Sequence, residues 1–147
     1  MANGRFQVTR STASRLTLLL SGVIDEDTVL GCERETRART AVAEAGSLQI
    51  LWDLRGVEGY SFEARIVLVR LQRFLAVRAQ STVYVADAMA ARSLALWSAH
   101  MGGQGEICIT ADVPSALAWL EGDADADTTG RHLIHSTPAR AKNKAAS

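Results

Sequence analysis

One stretch limits the fold more than any other: "LQILWDLRGVEGYSFEARIVLVRLQ", Leu48 to Gln72. It opens on an apolar run, 48–54, whose only charge is Asp53. A run this short and this apolar suits a strand covered on both faces. From Ser61 the period becomes helical and stays so over 61–79. At about 100° per residue, Ala64, Leu68, Leu71 and Leu75 fall on one stripe, the expected core face. Ser61 stands at the N-cap position, where its hydroxyl accepts from a free amide of the first turn.

The same alternation recurs downstream. "STVYVAD" (81–87) reads as a strand, and Asp87 caps a helix over 88–101. Ala90, Leu94, Trp97 and Met101 fall on one face of that helix, and Gly102 and Gly103 end it. "EICIT" (106–110) is a further strand, followed by a short helix over 112–122 with Pro114 in its first turn. Upstream, "RFQVT" (5–9) and "RLTLLLSG" (15–22) suit a hairpin closed by Arg10–Ser14. The segment 22–46 reads as a helix capped by Asp25 or Asp27, with i,i+4 pairs Glu33–Arg37 and Glu35–Arg39. Its apolar stripe is thin: Val29, Cys32, Thr36 and Ala43. This order predicts a single α/β domain over 1–121, with a mixed sheet of about five strands and about four helices. From Gly122 the chain turns polar and small, and 122–147 is expected to be a disordered tail.

Charge then narrows the function classes. The 147 residues carry 16 Lys and Arg against 16 Asp and Glu, a formal net charge of zero. Non-specific nucleic-acid binding and anionic-membrane binding both lean on a basic excess, so neither is expected. The apolar runs fall far short of the ~20 residues that span a bilayer. "MANGRFQVTR" has no apolar signal region, and the expectation is a cytoplasmic protein. Cys32 and Cys108 lie in unrelated segments, which favours two buried thiols over a disulfide.

"DADAD" (123–127) begins like a calcium loop, but the sixth and twelfth positions hold Thr128 and Ile134 in place of Gly and Glu. His132 and His135 have no cysteine or acid beside them to complete a zinc set. His100 stands at a helix end, where a cation suits the dipole. "GGQG" (102–105) lacks phosphate-cradle spacing and follows a helix. The cluster Arg34, Arg37, Arg39 is interleaved with glutamates and reads as a solvated face. Phe6, Trp52 and Tyr84 lie in strands, where core packing explains them. No metal, no cofactor and no enzymatic activity are expected.

One feature asks for more than a core. On the helix from Ser61, Ile66 and Val77 point away from the core stripe, beside Arg70 and Arg73, while Val69 and Ala76 form a third apolar strip. An apolar patch on an outer side marks a partner surface, a self-contact or a ligand groove, unless another element covers it.

The element order, "ILWDLRGV", "SGVIDEDTV" and "LALWSAHMGGQGEICITADVPSALAWL" together resemble the SpoIIAA-like group of the STAS (anti-anti-sigma factor) superfamily, over Arg15 to Gly122. The resemblance implies a regulatory, non-enzymatic domain that binds a protein partner or itself. In that family an Asp-Ser-Ser-Gly motif follows the strand equivalent to "ILWDL", and its second serine accepts phosphate from a partner kinase. Laid over this chain, the motif falls on "SFEA": Ser61 at the Asp position, Phe62 at the first serine, Glu63 at the acceptor and Ala64 at the glycine. Glu63 accepts no phosphate and carries a fixed negative charge. Ser61 is left with two readings, a helix cap or an acceptor after a register shift. The implied docking surface is an Arg55–Glu63 loop with the outer side of the next helix: Arg55, Tyr60, Ser61, Phe62, Glu63, Ile66, Arg70 and Arg73. "ALAWL" is also similar to the branch that borders Sec14-type lipid-binding folds, which implies a small apolar ligand as the alternative.

Overall fold

Strand β2 (Arg15–Ile24) alternates without a break between buried and half-buried residues. Leu16, Leu18, Leu20 and Ile24 enter the core on one face. In the computed structural model, which describes residues 3–102, 106–122 and the backbone of 132–135, this strand pairs antiparallel with β1 (Arg5–Thr12). The turn between them is only Ala13 and Ser14, tighter than the expected link. On its other side β2 pairs in parallel with β3 (Leu48–Tyr60). Parallel pairing continues through β4 (Ala79–Val85) to β5 (Glu106–Thr110).

The expected five strands thus form one mixed sheet. A further short strand, β6 (His132–His135), pairs antiparallel with β5, so the order is β1-β2-β3-β4-β5-β6. It arises within the polar segment expected to be a tail. The rest of that segment, 123–131 and 136–147 with the "DADAD" run, lies outside the described residues.

Three helices cover one face: α1 (Glu26–Thr40), α2 (Phe62–Ala76) and α3 (Met89–Gly102). They enclose the larger core, with Trp52, Leu54, Val29, Leu68, Leu94 and Ile109 among its members. The short α4 (Val113–Leu120) covers the opposite face, where Leu51, Val83, Val85 and Cys108 meet Ala116, Trp119 and Leu120. Central strands buried on both faces explain why their sequences run apolar without alternation. Side-chain caps begin three of the helices: Asp25 accepts from Thr28 N, Ser61 from Ala64 N and Asp112 from Ser115 N. Cys32 and Cys108 are both buried, and burial pushes the Cys32 thiol up to about 12.

Two boundaries depart from the sequence expectation. Strand β2 runs on to Ile24, and α1 occupies 26–40 within the segment read as one long helix. Strand β3 does not end at Leu54. It continues through "RGVEGY" because Ser21–Ile24 of β2 offer a pairing edge as far as Tyr60. Shifts of register let it absorb extra residues, the behaviour of a β-bulge. The expected loop over Arg55–Tyr60 is therefore strand.

Candidate partner-binding surface

The end of β3 delivers the chain directly to α2. Ser61 N donates to Ile24 O at 3.0 Å, which anchors the junction to β2. Ser61 Oγ then accepts from Ala64 N at 3.1 Å, so this hydroxyl serves as the cap. Phe62 and Glu63 follow in the first turn, both exposed. On the inner face of α2, Ala64, Leu68, Leu71 and Leu75 are buried as the helical period requires. On the outer face Ile66 is 51% exposed and Val77 63%. Val69 is buried instead, because α3 approaches α2 there. A Cβ on Gly102 would stand 2.9 Å from Val69 O and 3.0 Å from Gln72 Cβ, so glycine permits that approach.

Helix α3 is turned relative to the sequence expectation. Its buried residues are Ala91, Leu94, Ala95, Ser98, Ala99 and Gly102, nearly all small. Of the four residues expected on one face, Leu94 alone is buried. Ala90 and Trp97 are half-buried, and Met101 is 49% exposed. Close packing against the sheet and α2 selects the small side, and the large side chains are left outside. Met89, at 87% exposure, begins this outer row, which continues through Leu96 and Trp97 to Met101. The row lines an open groove of about 800 Å³ along α3. A second groove of about 350 Å³ lies between Ile66, Val69, Arg70, Arg73 and Trp97. Trp97 is a wall of both.

Cations frame this apolar face. The Arg65 guanidinium stands 4.7 Å from the Trp97 ring centre, 5.3 Å from Phe62 and 5.9 Å from Tyr60. Such contacts hold an arginine over ring faces at about 0.5–1 kcal/mol each when exposed. Tyr60 Oη and Ser93 Oγ share a hydrogen bond of 2.7 Å that ties the end of β3 to α3. Arg73 donates to Met101 O at 3.0 Å and Arg92 to Ala86 O at 3.2 Å.

The residues singled out from the sequence therefore divide. Tyr60, Phe62, Ile66 and Arg73 meet around Trp97 or Arg65. Glu63 stands exposed at the start of α2. Arg70 borders the smaller groove, but its guanidinium grips Glu33 of α1 through bonds of 2.6 and 2.8 Å. Arg55 lines neither groove. It lies back on Asp53, with bonds of 3.0 and 2.8 Å, and Asp87 and Asp112 add to the negative field there. Met89, Arg92, Leu96, Trp97 and Met101 were not foreseen as surface. The signal was present in α3, where a stripe of small residues marks the close-packed side and leaves Trp97 on the other.

Both carboxylates in these pairs titrate below their ordinary range. Hydrogen bonds from Arg70 lead for Glu33. For Asp53, burial pushes upward, and the side-chain and backbone bonds of Arg55 outweigh it. The unfolded chain binds these protons more readily, with carboxyl pKa values of about 3.9–4.3. Stability from the two pairs is therefore complete above that range and is lost as pH falls through the lower folded values. Urea midpoints measured at neutral pH and near pH 3 should show the loss. Glu33→Gln with Asp53→Asn should flatten it by about 1 kcal/mol, a small effect because both arginines are solvent-facing. An unchanged pH slope in that variant would contradict the assignment.

Among the described residues no helix is long and apolar enough to cross a membrane. No group of three or more His, Cys, Asp or Glu is placed to hold a metal ion there either.

A mixed sheet with three helices on one face and one on the other defines the class: the chain has the STAS/SpoIIAA-like fold. An uncharacterized DUF3478-family protein with a SpoIIAA-like fold, from Shewanella loihica PV-4, superimposes with a TM-score of 0.63 at 14% identity, over 82% of this chain and 98% of that one. An anti-sigma factor antagonist from Mycobacterium paratuberculosis gives 0.59 at 18% identity, over 81% and 95%. The anti-sigma factor antagonist SpoIIAA in its unphosphorylated form gives 0.57 at 15% identity, over 80% and 96%. No family model and no curated protein sequence matches the chain.

Proposed function

We propose that this protein is a cytoplasmic, non-enzymatic regulatory module that acts by binding another protein. The observation that carries the reading is the exposure of Phe62 and Ile66 beside Trp97, on helices whose inner faces are already occupied by the core. An apolar surface of this kind is retained where a partner covers it. Two proteins that share the fold are named as anti-sigma factor antagonists, which supports a regulatory role. The docking surface is the end of β3 with the outer side of α2: Tyr60, Ser61, Phe62, Glu63, Ile66 and Arg73, flanked by Arg70 and Arg55. Glu63 occupies the place where the resemblance puts a phosphate-accepting serine. Docking is therefore not switched by phosphate at that position.

Affinity capture from the source organism, followed by sedimentation velocity of the reconstituted complex, tests this reading. Ile66→Asp with Val77→Asp should leave the circular dichroism spectrum intact and weaken the complex by about 100-fold or more, since a charge then enters a desolvated contact. A folded double variant that binds as before would refute the surface. Sedimentation of the protein alone tests self-association on the same face.

The open groove along α3 favours one other reading, a small apolar ligand. Its volume of about 800 Å³ is of ligand-pocket size, although it lies open to solvent along α3 alone. Native mass spectrometry of gently purified protein would reveal a bound lipid, and a clean apo mass would count against it.

A further inference from the structure

The α2–α3 face carries a small excess of positive charge, Arg65, Arg73 and Arg92 against Glu63 and Asp87, that says what kind of segment covers it. Among the described residues the ion pairs are Arg37 and Arg70 with Glu33, Arg39 with Glu35, and Arg55 with Asp53. Arg65, Arg73 and Arg92 have no such pair. Arg65 faces aromatic rings, and Arg73 and Arg92 donate to backbone carbonyls, which carry no net charge. His100 stands in the same groove wall. Two acids share the face: Asp87 lines the α3 groove together with Arg92, and Glu63 stands exposed at the start of α2. In a chain whose charges balance overall, this is a local basic frame around an apolar floor.

The floor is elongated. Met89, Leu96, Trp97 and Met101 run the length of α3, roughly 18 Å at about 1.5 Å per residue. That matches three turns of a second helix laid alongside. Helix-in-groove recognition places apolar anchors at i, i+3, i+4 and i+7 on such a floor and leaves the flanks of the incoming helix to the rim.

We infer that the face takes an acidic amphipathic helical segment of the protein partner, with its apolar side on Trp97, Ile66 and Met89 and its carboxylates on Arg65, Arg73 and Arg92. This rests on the partner-binding reading above and specifies the partner's chemistry. A second copy of the same face fits less well, because a twofold contact would set these arginines near their own counterparts. A single-stranded nucleic acid also fits less well. Arg65 already lies over the Trp97 ring, and Met89, Leu96, Ile66 and Met101 offer nothing to a sugar-phosphate chain.

The test uses the full chain and a labelled synthetic peptide of about 16 residues, with leucine at the anchor positions and glutamate elsewhere. A matched peptide carries lysine for every glutamate, and labelled oligo-uridylate is a third probe. Fluorescence anisotropy should show the acidic peptide binding at least about tenfold more tightly than the basic one, and weakening as salt rises from about 0.05 to about 0.3 M. Arg65→Glu with Arg92→Glu should reverse the preference, and Arg73→Glu replaces Arg65→Glu if the first variant fails to fold. Equal binding of both peptides, preference for the oligonucleotide, or self-association that excludes the acidic peptide would each overturn the inference. If Ile66→Asp with Val77→Asp breaks the natural complex while the peptides bind equally, the docking surface stands and the acidic-helix assignment falls. If that variant leaves the natural complex intact, the docking surface itself falls.

Discussion

Trp52→Ala is expected to lower folding stability by about 4 kcal/mol, measured as the urea unfolding free energy. The side chain has no exposure and stacks on Tyr84, with ring centres 6.0 Å apart and planes 13° from parallel. It sits where β3 and β4 meet the undersides of α2 and α3, so truncation leaves a cavity that a sheet cannot collapse to fill. Against a total of about 5–15 kcal/mol for a domain, that loss approaches unfolding. Trp52→Phe should cost only about 1 kcal/mol. It keeps the stacked ring and removes a buried indole N–H that has no hydrogen-bond partner among the described residues. Equal cost for the two substitutions would show that the ring contact is not what matters.

Trp97→Ala is expected to act the other way round. Stability should change by about 1 kcal/mol, because the ring is only half-buried and its inner neighbours are small. Binding of the protein partner should fall by about 30-fold, or about 2 kcal/mol, the loss typical of an aromatic anchor at the centre of an interface. Titration calorimetry on the purified complex separates this from misfolding when the thermal midpoint is recorded on the same samples. Retention of full affinity would move the docking surface away from α3.

The sequence made the framework readable where local chemistry and burial agree. The run 48–54, the stripe Ala64–Leu68–Leu71–Leu75 and the caps Asp25 and Ser61 each follow from near neighbours in the chain. What lay beyond it depends on distant partners. "RGVEGY" has two glycines and two charges and looks like a loop, yet β2 supplies an edge that holds it as strand. Arg70 looked like an outward cation, but Glu33, 37 residues earlier, receives it when α1 packs beside α2. In α3, helical periodicity grouped Trp97 with Leu94, and the close approach at Gly102 put the small residues inside instead. The outward character of Ile66 and Val77 was legible because an apolar residue off the core stripe is visible in the period alone.

Hydrogen–deuterium exchange on the complex with the natural protein partner is the most direct test that the protein acts through the α2–α3 face. The account predicts slower exchange on complex formation across 60–73 and 89–101, with α1 and the β1 edge unchanged. Protection confined to β1 or α1, with 60–73 and 89–101 exchanging as in the free protein, would contradict it.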